Sequence, residues 1–226
     1  MSEKPHYAGH RKRLRERFLK SSGEDMPDYE LLELLLFFAQ SQRDVKPLAK
    51  KLIERFGSFA GVVSAEPARL REIDGVKDGA VAAIKLAQAS AKRLLRQEVL
   101  GRPVISSWQA LLEYCQAAMA RESTEQFRVL YLDQKNQLIA DELQQKGTVN
   151  HTPVYPREIM KRALELAATA VILVHNHPSG DPSPSKADIA MTRDVAEAGH
   201  RLDIAVHDHV IIGRSGHASF KSLGLL

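Results

Sequence analysis

The hydrophobic period changes once along this chain, and the change divides it into two folds. Residues 28–97 place apolar side chains at helical spacing in three clusters, Tyr29 to Phe38, Leu48 to Phe56 and Val81 to Leu95, with short turns between them and no strand pattern. The segment EVLGRPVISS, Glu98 to Ser107, breaks that period with Gly101 and Pro103 and reads as a linker. Beyond it, strands and helices interleave. Phe127 to Asp133 and Gln137 to Leu143 read as strands, and Pro156 to Ala168 reads as a helix with Pro156 in its first turn. Ala170 to Val174 is a short buried strand, and Lys186 to Ala198 a helix stopped near Gly199. Leu202 to Val206 and His209 to Ile212 read as two closing strands. A chain of 226 residues has room for two such cores. The expectation is a small all-α domain over 1–100 and a mixed-sheet, layered α/β domain over 104–226.

Charge follows the same division. Residues 1–20 hold seven basic residues against Glu3 and Glu16, a net of +5, whereas residues 21–100 are balanced and residues 101–226 net −1. The excess is an N-terminal arm containing Lys4, Arg11, Lys12, Arg13, Arg15, Arg17 and Lys20. Such an arm suits contact with a phosphate backbone; a solvated positive helix face accounts for the charges equally well. Apolar runs such as Leu34 to Ala39 are far shorter than the roughly 18 residues a spanning helix needs, so no membrane is expected. The N-terminus has no apolar h-region, and one cysteine, Cys115, permits neither an internal disulfide nor a four-thiolate zinc site. Both features suit the cytoplasm. Cys115 falls in a predicted helix, where it packs rather than reacts.

The stretch from His175 to Asp188, HNHPSGDPSPSKAD, carries the most chemistry. Histidines at i and i+2 directly after a strand leave on one side of an extended backbone, with Asn176 on the other. Asp188 falls in the first turn of the next helix, so the Pro/Gly-rich loop can return a carboxylate to both rings. Three N/O ligands with a fourth position left to water is the pattern of a catalytic zinc site. Ser185 and Asp188, three apart at a helix start, also make a capping box that needs no metal. Histidines in a loop can equally be satisfied by backbone carbonyls.

The spacing H-x-H-x7-S-x2-D resembles the JAMM (MPN+/JAB) metalloprotease motif, and the string HNHPSGDPSPS, with YPREIMKRALELAA and LDIAVHDHVIIG, is similar to the RadC family. The resemblance implies a three-layer, cytidine-deaminase-like MPN/JAB domain binding one zinc per chain. It implies His175, His177 and Asp188 as ligands and Ser185 as the group that steadies the tetrahedral intermediate. It also implies a glutamate on an earlier strand as general base. Glu142, in IADEL, is carried over to that role, with Glu158 as the runner-up. An exposed strand-end charge remains the alternative for Glu142, and Glu158 also suits the dipole of its helix. Asn176 stands where the peptidase form of the motif has Ser or Thr. Asp208 and His209, beside His207, are candidates to orient the ligands, or to make a structural hydrogen bond at a strand start. Tyr155, Arg157 and Lys161 are candidate cleft residues.

Competing motifs are missing. One cysteine cannot build a zinc deaminase, and no H-E-x-x-H, G-x-S-x-G or G-x-x-x-x-G-K occurs. In the first domain, LREIDGVKDGAVAAI (70–84) resembles a helix-hairpin-helix, in which a tight Gly-containing turn presents helix amides to a DNA phosphate. Gly75, Val76, Lys77 and Gly79 are the residues concerned, with Arg11 and Arg13 of the arm as further DNA contacts. Lys77 replaces the second Gly of the usual G-V-G, and a hairpin used only for packing remains open. The resemblance associates the family with DNA repair. Three functions are therefore carried: a zinc peptidase or isopeptidase acting on a protein or peptide, a metal-dependent nuclease, and a DNA-binding scaffold with a structural zinc. The oligomeric state is left open.

Overall fold

The computed structural model describes residues 9–41, 43–147 and 155–226, the side chain of Ile105 excepted. One compact unit closes at Ser90 and a second runs from Ala91 to Leu226. Among the described residues no helix is long and apolar enough to cross a membrane.

The first unit is helical: α1 (His10–Ser21), α2 (Asp28–Ala39), α3 (Lys46–Phe56), α4 (Phe59–Ser64), α5 (Pro67–Arg71) and the first part of α6 (Asp78–Val99). Local chemistry sets the boundaries. Pro47 occupies the first turn of α3, Gly57 closes that helix at φ 84°, and the Ser58 hydroxyl caps α4 by accepting from the Gly61 amide. Leu32 and Leu36 of α2, one turn apart, are fully buried with Leu52, Val62, Leu70 and Ile84. The part of the arm that is described is not extended. It is the helix α1, seated by Leu14 against Met26 and Leu34, and Lys4 and Glu3 lie outside the described residues.

The helix α6 ends at Val99, beside Gly101 at φ 69°. The stretch read as a linker is tied to the second unit: the Gly101 amide donates to Leu138 O at 3.1 Å and the Val104 amide to Asn136 O at 2.8 Å. A 3-10 turn, Val104–Ser107, leads into α7 (Trp108–Met119), which buries Cys115 as expected.

The second unit continues with β1 (Gln126–Leu132), β2 (Leu138–Lys146), α8 (Pro156–Glu165), β3 (Ala170–Asn176), α9 (Lys186–His200), β4 (Ala205–Ile212) and β5 (His217–Ser219). The sheet order is β2-β1-β3-β4-β5, with β3 and β4 parallel and the other neighbours antiparallel. The central strand β3, AVILVHN, is buried along its whole length, as its unbroken apolar run requires. Its even positions, Ile172 and Val174, pack with Leu130, Leu132 and α7; its odd positions, Val171 and Leu173, pack with Val129, Tyr131, α8 and α9. The fold is thus the expected three-layer α/β architecture, with a mixed sheet between helices.

The two closing strands of the sequence reading are one strand, β4, and Leu202 falls in the turn before it. The polar run His207-Asp208-His209 looks like a break, but each side chain is paired within the fold, and the ladder with β3 resumes at Asp208 after a register shift that skips His207. The short strand β5 has no counterpart in the sequence reading.

Candidate metal centre

His175 continues the face of Val171 and Leu173 and is 1% exposed. The His177 amide donates to Ile212 O at 3.0 Å, which keeps the backbone extended one residue past β3. Both rings therefore leave on one side and Asn176 on the other. After the turn, the Ser185 hydroxyl accepts from the Asp188 amide at 3.1 Å and Asp188 Oδ2 accepts from the Ser185 amide at 2.7 Å, a complete capping box. Capping and metal binding do not compete. The box holds the Asp188 carboxylate 3.4 Å from His175 Nε2 and 3.6 Å from His177 Nε2. His175, His177 and Asp188 form a cluster with donor atoms within 4.8 Å of one another, suited to a metal ion.

The loop between the ligand candidates is braced from the turn after β4. Arg214 Nη2 donates to Pro178 O at 2.7 Å, and Gln116 Nε2 donates to Gly213 O at 2.9 Å. A Cβ on Gly213 would lie 2.4 Å from Gly180 O, so only glycine fits there.

Hydrogen bonds fix where the imidazole protons sit. The Thr192 hydroxyl donates to Asp188 O at 2.6 Å, so at 2.6 Å from His209 Nδ1 its oxygen must accept. His209 Nδ1 then carries the proton and its Nε2 accepts from His175 Nδ1 at 2.7 Å, leaving His175 Nε2 with a free lone pair. His177 Nδ1 donates to Asp181 O at 2.8 Å, which frees its Nε2 as well. These two Nε2 atoms, 3.0 Å apart, converge beside a carboxylate. Three electron-rich atoms with no donor between them fit a cation.

The electrostatics agree. Burial pushes the His175 imidazolium down to about 4 and His209 well below its ordinary value, so both rings are neutral at physiological pH. Hydrogen bonding to Asp188 raises His177 despite partial burial. Burial pushes the Asp188 carboxyl up, but hydrogen bonds from His177 and Ser185 and the charge of His175 outweigh it and hold the group well below the usual carboxylate range.

Glu142, the residue expected as general base, lies apart from the cluster. Its carboxylate takes three bonds of 2.7 to 3.0 Å from the Arg162 guanidinium on α8, and it is no part of the cluster. The acid opposite the histidines is Glu125. The β1–β3 pairing ends with Phe127 against His175, and its register continued by two residues sets Glu125 opposite His177. Directly opposed residues of an antiparallel pair share a face, and the Glu125 charge contributes to the raised His177. Asn176 secures this arrangement: its Oδ1 accepts from the Gln126 amide at 2.9 Å and its Nδ2 donates to Thr124 O at 3.2 Å. A usable signal existed. In antiparallel neighbours, the residue before one strand lies beside the residue after the other, and Glu125 precedes QFRVLYL as His177 follows AVILVHN.

The remaining candidates are distributed differently. His209 contacts His175 directly. Asp208 points to the other sheet face, where it takes bonds from Ser219 Oγ at 2.5 Å and the Lys221 amide at 3.0 Å. His207 Nε2 pairs with Asn136 Oδ1 at 2.6 Å. Glu158 pairs with Arg157, which lies over the Tyr155 ring, and Lys161 pairs with Glu165; none of these contacts reaches the cluster.

In the helical unit, Gly75 adopts φ 91° in the turn before α6, and its carbonyl accepts from Gln40 Nε2 at 2.9 Å. Gly75, Lys77 and Gly79 line a cavity of about 320 Å³ together with Ser41 and Arg43. Val76 is buried in the core instead. Arg11 is engaged inside the unit. It donates to Gln40 O at 2.6 Å and Arg43 O at 2.5 Å and lies 4.5 Å over the Phe37 ring. Arg13 is likewise not without a partner.

A three-layer mixed sheet with an H-x-H pair leaving its central strand, and a capping aspartate returning to it, defines a JAB-type domain. A family model described as RadC-like JAB domain matches residues 105–225. A UPF0758 protein of Rhodobacter capsulatus is 61% identical over 213 residues, which cover 94% of this chain and the whole of that protein. The chain belongs to the RadC family.

Proposed function

We propose that this chain is a zinc-dependent hydrolase of the JAMM type, acting on a peptide or isopeptide bond, whose helical unit associates it with DNA. The carrying observation is the convergence of His175 Nε2, His177 Nε2 and the Asp188 carboxylate with no proton donor aimed between them. Those three side chains would hold the metal. When bound, zinc supplies Lewis acidity that acidifies a water and polarises the substrate carbonyl.

The chain's own groups do the rest. Glu125, opposite His177, takes the proton of the attacking water and returns it to the leaving amine. Ser185 keeps its hydroxyl hydrogen while its oxygen accepts from the Asp188 amide, so it has a donor to offer the developing oxyanion. His209 and Thr192 hold His175 in its ligating tautomer. In the helical unit, Gly75, Lys77 and Gly79 line the cavity proposed to take a DNA phosphate.

Elemental analysis of purified protein tests the metal. About one zinc per chain in the wild type and none in the His175→Ala/His177→Ala variant is expected. Absence of metal from both would overturn the hydrolase reading. With the site established, hydrolysis of a lysine-linked isopeptide panel and of a DNA duplex separates peptidase from nuclease chemistry.

A further inference from the structure

On the sheet face opposite the histidines, the second unit carries a groove of about 340 Å³ with an unusual charge balance. Lys92, Arg93 and Arg96 enter it from α6, Arg128 from β1 and Lys146 from the end of β2, against a single lining acid, Glu122. Two of the five cations are locally matched. Lys92 pairs with Glu122 at 3.2 Å, and Arg128 forms a fork on the buried Asp141, at 2.8 and 2.9 Å, which also accepts from the Tyr114 hydroxyl. Arg93, Arg96 and Lys146 have no acidic partner among the described residues. Three like charges face one groove with nothing to neutralise them, an arrangement that self-repulsion disfavours unless an anion is shared among them.

We propose that this groove binds the phosphate backbone of a nucleic acid, as a site separate from the cavity around Lys77. The lining favours that polymer over an acidic peptide. A peptide groove needs apolar pockets for alternate side chains, and here the aromatic wall residue Tyr114 is 4% exposed with its hydroxyl turned to Asp141. What remains open is guanidinium and ammonium, which read backbone charge and no sequence. Arginine forks suit phosphate oxygens in particular. The buried Asp141 carboxylate already matches Arg128, so the charge open to a phosphate is that of Arg93, Arg96 and Lys146. The proposal requires neither zinc nor hydrolysis.

Fluorescence anisotropy of a labelled single-stranded oligonucleotide with the full-length chain tests it, titrated across potassium chloride concentration. The Arg93→Glu/Arg96→Glu/Lys146→Glu variant is expected to bind at least about tenfold more weakly, with the salt slope reduced by about 2, from roughly 0.7 for each phosphate that is no longer neutralised. Far-ultraviolet circular dichroism and zinc content should match the wild type, because all three side chains are exposed. Lys77→Glu is measured in parallel, and a further fall in affinity on combining the variants is expected. Unchanged affinity in the triple variant while Lys77→Glu weakens binding would overturn the groove and leave the helical unit as the binding site. Oligoglutamate competing as well as unlabelled oligonucleotide would also overturn it, in favour of an acidic protein partner, and so would failure of the wild type to bind.

Discussion

Asn176 Oδ1 accepts the amide proton of Gln126 at 2.9 Å, from a residue fifty positions earlier in the chain, and through this bond the start of β1, which follows Glu125, is fixed to the end of β3, which carries His175 and precedes His177. Asn176 is 1% exposed and its bond with the Gln126 amide is buried, so that amide has no water to fall back on. Asn176→Ala leaves the Gln126 amide and one bond to the Thr124 carbonyl unmade inside the protein. A loss of about 2 kcal/mol is expected, because a buried unsatisfied group costs about 1–3 kcal/mol. The three side chains proposed to hold the metal are untouched. Zinc content should stay at one per chain while urea stability and hydrolysis both fall; a variant as active as the wild type would show that Glu125 needs no such fixing.

Exchanging the two candidate acids separates their roles. Glu125→Gln keeps size and hydrogen bonding but removes the base, and a fall of about 10²–10⁴ in kcat is expected with zinc retained. Glu142→Gln breaks an ion pair whose partners are 30% and 40% exposed. That change should shift stability by less than about 1 kcal/mol and leave kcat unaltered, because pairs in contact with solvent are weakly stabilising. The opposite result would return the base to β2 and refute the assignment from strand register.

The sequence made the ligand set legible because all three candidates sit within fourteen residues, on elements whose local signals are strong: a fully apolar strand, and a helix opened by a capping box. Glu125 was not legible in the same way. Its place opposite His177 depends on which strands pair and in what register, a long-range relation that no local period encodes. The polar run His207-Asp208-His209 hid the continuity of β4 for a related reason. Alternation rules treat buried polar residues as strand ends, and only tertiary partners such as Thr192, Ser219 and Asn136 make them tolerable. The cations of α1 were legible as charge but not as structure, since Arg11 donates to the Gln40 carbonyl at the end of α2 and to the Arg43 carbonyl beyond it.

Thr192 makes no contact with the proposed metal position, yet its single hydroxyl sets the proton on His209 and thereby the lone pair of His175. Thr192→Val preserves shape and removes the acceptor. His209 then loses the reason to protonate Nδ1, and His175 Nε2 loses part of its time as a free base. Zinc affinity is expected to fall about 10- to 100-fold, the range typical for groups that orient a ligand, as read by competition with a chromophoric chelator. Thr192→Ser should restore it. Equal affinity in the valine variant would mean that packing alone orients the ring.

Acid should destabilise the metal-free protein in a window set by the buried histidines. His175 has its value lowered by burial from 6.5 to about 4, so between those pH values the unfolded chain holds a proton that the folded chain does not. Stability therefore falls as pH drops from 6.5 towards 4, by about 3 kcal/mol at most for this one group, from about 1.4 kcal/mol per pH unit. His209 acts in the same direction, again through burial. His177, raised by its bond to Asp188, acts oppositely, strengthening the fold as it protonates and losing that contribution as pH rises. The depressed Asp188 carboxyl keeps its contribution until pH falls below the ordinary carboxylate range, beneath the histidine window. Two buried rings outweigh one partly exposed one, so the urea midpoint of chelator-treated protein should decline across this window and flatten in His175→Ala. A midpoint that stays level or rises as pH falls from 6.5 would mean that water reaches these rings in the folded state.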